Sequence, residues 1–145
     1  MKKYFNYVKE GGVNMSVTKG SVIFYGLDGL DKKVNDIIEV LDLKKQSFEV
    51  KLIIFEAVNN AYTHGNNSDS SKPIYVDWEL KDNLLSVIVK DCGQGFENIN
   101  LHKKIDEENI LDESGRGLYI ISCYTDELIL DGSSIIMRKS LLCDI

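Results

Sequence analysis

The stretch from Ser47 to Gly65 constrains this chain more than any other. Apolar side chains recur at Phe48, Leu52, Phe55, Val58 and Tyr62, the three-and-four spacing of a helix stripe, and the pattern stops at Gly65 with the turn formers Asn66, Asn67 and Ser68 behind it. The spacing predicts a helix whose stripe faces the rest of a domain. Glu56 and Asn60 are four residues apart on it, about 40° around the axis and about 6 Å along it. They share a face that lies beside the stripe, where burying a carboxylate without a partner is costly. By themselves the two also suit a carboxylate and an amide at the edge of any surface helix.

The flanking sequence supplies the other layer. Ser21-Val22-Ile23-Phe24-Tyr25 is rich in β-branched and aromatic residues and ends at Gly26, which predicts a strand. Asp28 to Leu41 carries Leu30, Val34, Ile37, Ile38 and Leu41 at helical spacing. Ile74 to Leu80 and Leu84 to Lys90 read as a hairpin around Lys81-Asp82-Asn83. Ser114 to Cys123 reads as a third helix, and Glu127 to Leu130 and Ile135 to Met137 as a second hairpin across Asp131-Gly132-Ser133. Glu97 to Glu113 is polar and acidic, with Asp106, Glu107, Glu108, Asp112 and Glu113 against Lys103 and Lys104, and suggests a mobile lid. Met1 to Met15, with Gly11-Gly12 and little periodicity, reads as a tail outside a single domain spanning residues 16 to 145.

At 145 residues the chain is one ordinary domain with room for a single core. A hydrophobic fraction of 43% and a charged fraction of 28% fit a folded globular protein. No apolar run approaches the roughly 18 residues that span a bilayer, and Met1-Lys2-Lys3 leads into Tyr4-Phe5-Asn6, not a signal-peptide core. The expectations are a cytoplasmic location and no membrane partner. The net charge of -6 argues against direct nucleic-acid binding, which needs a basic face. Cys92, Cys123 and Cys143 lack the spacing of a zinc site or disulfide framework and read as reduced thiols. Asn66-Asn67-Ser68 matches a glycosylation acceptor pattern, which has no meaning without secretion.

Two further segments carry chemistry. Lys90-Asp91-Cys92-Gly93-Gln94-Gly95-Phe96 places a carboxylate at the end of a strand ahead of two glycines, so a flat ligand can lie close to the backbone while Asp91 accepts a hydrogen bond; adenine's exocyclic amine suits that acceptor. A simple glycine turn after a strand has the same appearance. Ser114-Gly115-Arg116-Gly117-Leu118 opens the third helix, where free N–H groups and the helix dipole favour an anion, and Arg116 adds a positive charge. A tight helix-entry turn is the plainer reading of that segment.

Order and spacing bring a family into view. Glu56-Ala57-Val58-Asn59-Asn60-Ala61 with His64-Gly65 resembles the N box of the Bergerat-fold (GHKL, histidine-kinase-like) ATPases. Asp91-Cys92-Gly93-Gln94-Gly95 resembles their adenine-binding box, and Gly115-Arg116-Gly117 their phosphate-binding glycines. The coverage runs from about Ser21 to Lys139, and the small chain looks most like the anti-sigma-factor serine/threonine protein kinases of that family. The resemblance implies an α+β fold, a two-layer α/β sandwich with helices on one face of a mostly antiparallel sheet. It implies ATP or ADP with Mg²⁺, Glu56 as general base, Asn60 as the Mg²⁺ ligand, Asp91 reading adenine, Gly93 and Gly95 shaping the pocket, and Gly115 to Gly117 on the phosphates. His64 matches the family position, although a helix-end histidine can simply cap carbonyls. Ser133 stands where the family often has threonine and could touch the adenine side. The implied partners are a sigma factor and an anti-anti-sigma protein of the STAS type as substrate, with a homodimer as the assembly. A nucleotide-gated regulatory binding module without kinase activity is the rival reading. A detached sensor-kinase domain is a second, but His64 and His102 are the only histidines, and neither lies in a separate helical hairpin.

Lys9-Glu10-Gly11 can be encoded by a purine run resembling a ribosome-binding sequence a short distance before Met15. Translation is therefore expected to start at Met15 in the cell. Intact-mass measurement of natively expressed protein should return a mass beginning there, and retention of Met1 would refute it.

Overall fold

The structure, a computed structural model, describes residues 5–12, 15–43, 45–100 and 113–141. Its seven strands are β1 (Phe5–Gly12), β2 (Met15–Tyr25), β3 (Pro73–Lys81), β4 (Leu84–Lys90), β5 (Phe96–Asn100), β6 (Glu127–Gly132) and β7 (Ser134–Ser140). They form one sheet in the order β1-β2-β3-β4-β7-β6-β5, antiparallel at every pairing. Helices α1 (Leu30–Leu41), α2 (Ser47–Asn60) and α3 (Glu113–Cys123) complete the two-layer α+β sandwich.

Alternation along the strands decides which face the helices cover. Phe24, Ile74, Val76, Trp78, Leu85, Val87, Val89, Leu128, Ile135 and Met137 point inward and are almost wholly buried. They join one core with Val34 and Ile37 of α1, Ile53, Ile54 and Val58 of α2, and Ile121 of α3. Their neighbours Ile23, Tyr25, Tyr75 and Ile88 point to the opposite, open face and are exposed. The β3–β4 turn is two residues long, Asp82-Asn83, both with positive φ (49° and 69°), the backbone twist that matches paired strands. Both predicted hairpins and all three predicted helices are present, and α1 buries the predicted Leu30, Val34, Ile37 and Leu41.

Three expectations need correction. Phe5–Gly12, read as tail, is edge strand β1, paired with β2 from Phe5↔Val22 to Gly12↔Met15. An edge strand pairs on one side only and needs no apolar alternation, so its sequence resembles a tail. Residues 97 to 100, the beginning of the expected lid, belong to strand β5, which is paired with β6; the lid's residues 101 to 112 lie outside the described residues, and Glu113 opens α3. The stripe of α2 is rotated from the expected one. Val50, Ile53, Ile54, Ala57 and Val58 are buried, whereas Phe48 is 71% exposed and Leu52 and Phe55 are half-buried. The run Leu52-Ile53-Ile54-Phe55 offers apolar groups all around the axis, and α2 packs against α1 on one side, α3 on the other and β4 beneath. Several stripes fit such a pattern, and three-sided packing selects among them.

An ion pair anchored on a buried lysine ties β7 to the start of α2 and the end of α3. Lys139 of β7, 7% exposed, donates from Nζ to the Tyr124 carbonyl just beyond α3 at 2.7 Å and pairs with Glu49 on the first turn of α2 at 2.9 Å. The Lys139 hydrogen bond holds the Glu49 carboxyl below its ordinary range.

The two readings of α2 give opposite mutational expectations. Ile53→Ala should cost about 2–5 kcal/mol of stability through the cavity it leaves, while Phe48→Ala should change stability by less than about 0.5 kcal/mol. Urea unfolding of both variants checks this, and a costly Phe48→Ala would restore the original stripe.

Candidate functional site

Between α2 and α3, above the ends of β4 and β7, the helix α2 does not stop cleanly. It runs into a π-helical turn, Ala61–Gly65, closed by the Asn66 N–H donating to the Ala61 carbonyl at 2.8 Å. Such turns often mark functional sites. The widened turn presents Asn60 and His64 to two adjoining recesses, a cavity of about 440 Å³ and a cleft of about 40 Å³, and both residues line both. The larger volume lies within the roughly 300–1,000 Å³ of small-molecule sites.

One wall of the cavity is the loop after β4. Asp91 follows the central strand directly, its N–H donates to the Ser133 carbonyl at 3.0 Å, and its Oδ1 accepts from the Gly93 N–H at 2.7 Å. The carboxyl is packed against Gly65, where a β-carbon would fall on it, and a β-carbon on Gly93 would fall on the Gly65 carbonyl. Gly95 has φ +78° and lies against the Gly132 backbone with no room for a side chain. Burial pushes the Asp91 carboxyl above its ordinary range, and the Gly93 N–H opposes that shift. A partly desolvated carboxylate at a cavity wall is poised to accept a hydrogen bond from a ligand donor.

The cleft holds the second half of the expected site. Glu56, Asn60 and Gly117 line it, and a β-carbon on Gly117 would stand 3.2 Å from Glu56 Oε2, so the missing side chain is what lets α3 approach the carboxylate. Gly115 and Arg116 are the third and fourth residues of α3, among the first four whose N–H groups have no intrahelical acceptor. Arg116 is exposed and belongs to the wall of neither recess, because it is rotated about 100° from Gly117 around the axis. Ser133 lines the cavity next to Asp91. Glu56, Asn60, His64, Asp91, Gly93, Gly95, Gly117 and Ser133 therefore meet at two connected recesses, with Gly115 on the same helix end.

Among the described residues no cluster of three or more His, Cys, Asp or Glu could hold a metal. The donor set instead fits a hard cation shared between one amide oxygen, Asn60 Oδ1, and ligand phosphates. The glycine-cleared walls fit a flat base at Asp91 and an anion at the start of α3. The walls also hold residues that were not anticipated, two of them from a loop outside the three boxes. Lys72 and Asn67 reach the cavity from the loop before β3, where nothing in the sequence distinguishes them from ordinary turn residues. Asn66, read as a turn former, is wholly buried and accepts from the Cys92 N–H at 2.8 Å. Burial also removes it as a glycosylation acceptor. Cys92 and Cys123 are free thiols, and Cys143 lies outside the described residues.

The raised Asp91 carboxyl gives a signed prediction for the nucleotide-free protein. Its contribution to stability is greatest below the unfolded pKa and is lost as pH rises through the raised folded one. Asp91→Asn should therefore raise the thermal midpoint more at pH 7 than at pH 4, a difference that calorimetric scans at the two pH values would read. An equal shift at both would refute the burial argument.

The profile of the histidine kinase-like ATPase domain matches residues 32–139. Anti-sigma F factor of Priestia megaterium is 30% identical over 101 residues, covering 64% of this chain and 69% of that protein. Anti-sigma F factor of Shouchella clausii (strain KSM-K16) is 31% identical over 100 residues, covering 64% and 68%. That of Geobacillus sp. (strain WCH70) is 29% identical over 98 residues, covering 63% and 67%. No helix among the described residues is long and apolar enough to cross a membrane. With a match over most of its length and a sandwich that gathers the three expected boxes around one site, this chain belongs to the histidine kinase-like ATPase domain family.

Proposed function

We propose that the chain is an ATP-dependent protein serine kinase acting as an anti-sigma factor, which binds a sigma factor and phosphorylates an anti-anti-sigma protein. The observation that carries the reading is the Glu56 carboxylate standing against Gly117 in a cleft that shares Asn60 and His64 with the cavity of Asp91. The relatives named anti-sigma F factor support the biological setting.

In this reading Asp91 accepts the hydrogen bond of the adenine amine, Gly93 and Gly95 let the base lie flat, and Gly115 and Gly117 admit the phosphates to the N–H groups of α3. Arg116, on the exposed side of that turn, adds long-range attraction. Asn60 and the phosphates would hold Mg²⁺, which neutralises phosphate charge when bound. Glu56 accepts the proton of the substrate serine as its Oγ bonds to the terminal phosphorus of ATP; the bond from that phosphorus to the bridging oxygen breaks and ADP leaves. A cytoplasmic homodimer is part of the proposal, supported by the open sheet face, where Ile23, Tyr25, Tyr75 and Ile88 are exposed together.

Glu56 and Asn60 do different work on one helix face, and their variants should separate. Glu56→Gln should leave ADP affinity within about twofold of wild type and lower phosphate transfer by roughly 10²–10⁴-fold. Asn60→Ala should lower Mg²⁺-dependent nucleotide affinity and transfer together. Calorimetry with ADP and radiolabel transfer to a serine-bearing anti-anti-sigma partner read both. Unchanged transfer in Glu56→Gln overturns the base assignment, and nucleotide binding by a wild type that transfers nothing favours the nucleotide-gated binding module.

A further inference from the structure

Asn66 is wholly buried, stands in the wall of neither recess, and yet touches three elements that shape the site. Its N–H closes the π-helical turn on Ala61, so it fixes the one-residue shift that sets His64 and Gly65 in place. Its Nδ2 donates to the carbonyls of Lys72 and Pro73, both at 3.2 Å, at the start of β3. Its Oδ1 accepts from the Cys92 N–H at 2.8 Å, one residue beyond Asp91. A carboxamide is the neutral side chain of this size that both donates and accepts. Reversing it would set Nδ2 against a donor and Oδ1 against two acceptors, so the surroundings admit one orientation.

The consequence falls on Asp91. Two contacts hold the Asp91 backbone from either side, the Ser133 carbonyl on its own N–H and Asn66 on the next. With Asn66 truncated, the Cys92 N–H loses its acceptor and the loop loses the carboxamide's tie to the start of β3, leaving there the weak bond from Cys92 Sγ to the Pro73 carbonyl at 3.5 Å, while the Ser133 bond and the cleft of Glu56 and Gly117 remain. We propose that Asn66 is a positioning residue of the nucleotide site, which aims the Asp91 carboxylate at the base and thereby sets the preference for adenine without touching the nucleotide. The proposal rests on the reading of the cavity as an adenine nucleotide site.

The test compares the affinities of ADP, GDP and inorganic pyrophosphate by calorimetry for wild type, Asn66→Ala, Asp91→Asn and the double variant. Wild type should prefer ADP over GDP. Asn66→Ala should reduce that preference by roughly tenfold, a coupling within the range for neighbours in one network, with pyrophosphate affinity within about twofold. The double variant should have no less preference than Asp91→Asn alone, because Asn66 acts through that carboxylate. A merely structural role would lower all three affinities in proportion and leave the preference unchanged, and that outcome overturns the inference. If the variant does not fold, amide exchange in the nucleotide-free wild type decides. The Cys92 N–H should exchange at least roughly a hundredfold more slowly than an unstructured amide, and exchange at the unstructured rate overturns the proposal. A wild type that binds no ADP overturns the nucleotide reading itself, whereas ADP binding with a preference unmoved by Asn66→Ala overturns this inference alone.

Discussion

The site depends on two side chains that are missing. Where α2 unwinds through its π-helical turn, Gly65 leaves a space that the Asp91 carboxyl fills, and Gly93 in turn leaves space for the Gly65 carbonyl. The helix end and the loop after β4 are thus fitted into each other at backbone distance, and neither can be moved by an ångström without displacing the other. This contact turns separate facts into one site. It brings Asn60 and His64, which belong to the helix layer, within the same cavity as Asp91 and Ser133, which belong to the sheet. It also desolvates the carboxyl, so the feature that shapes the cavity makes Asp91 a stronger acceptor toward a ligand than a surface aspartate would be.

Legibility followed how locally each feature is determined. Helix α1 has a single amphipathic stripe, and Leu30, Val34, Ile37 and Leu41 reveal it without any knowledge of its neighbours. The β3–β4 hairpin is equally local, since alternation and the Asp82-Asn83 turn are written in consecutive residues. The orientation of α2 is not local: Leu52-Ile53-Ile54-Phe55 is apolar in every direction, and contacts with α1, α3 and β4 decide which of those groups is deepest. Strand β1 is less local still, because its partner β2 supplies the ladder and its own side chains need no pattern. The site residues that were legible, Glu56, Asn60, Asp91 and the glycines, owe it to spacing and to the family resemblance. Asn66 was not, because an asparagine after a helix-ending glycine looks like Asn67 beside it, which has φ +52° and turns the chain. Only the fold buries one and not the other.

The arrangement divides electrostatic work between the two recesses. At the cavity, in the proposed reading, a single partly desolvated carboxylate faces the base, and no cation is needed to recognise it. At the cleft, Glu56 lies against the start of α3, where the free N–H groups give the helix its positive end. In the proposed reading the carboxylate and the anion-binding helix end are compatible neighbours because the carboxylate serves as a proton acceptor and the anion is screened by a metal ion, the part given to Asn60, which lines both recesses.

The Lys139 tie gives α3 a mechanical character. The end of that helix is fastened through the Tyr124 carbonyl to β7 and, through the same ammonium, to Glu49 at the start of α2, while the helix's other end carries Gly115 and Gly117. Eleven residues make a rod roughly 16 Å long, fastened at the extremity away from those glycines. The fastening therefore fixes the direction of the helix axis, and with it how closely Gly117 meets the Glu56 carboxylate.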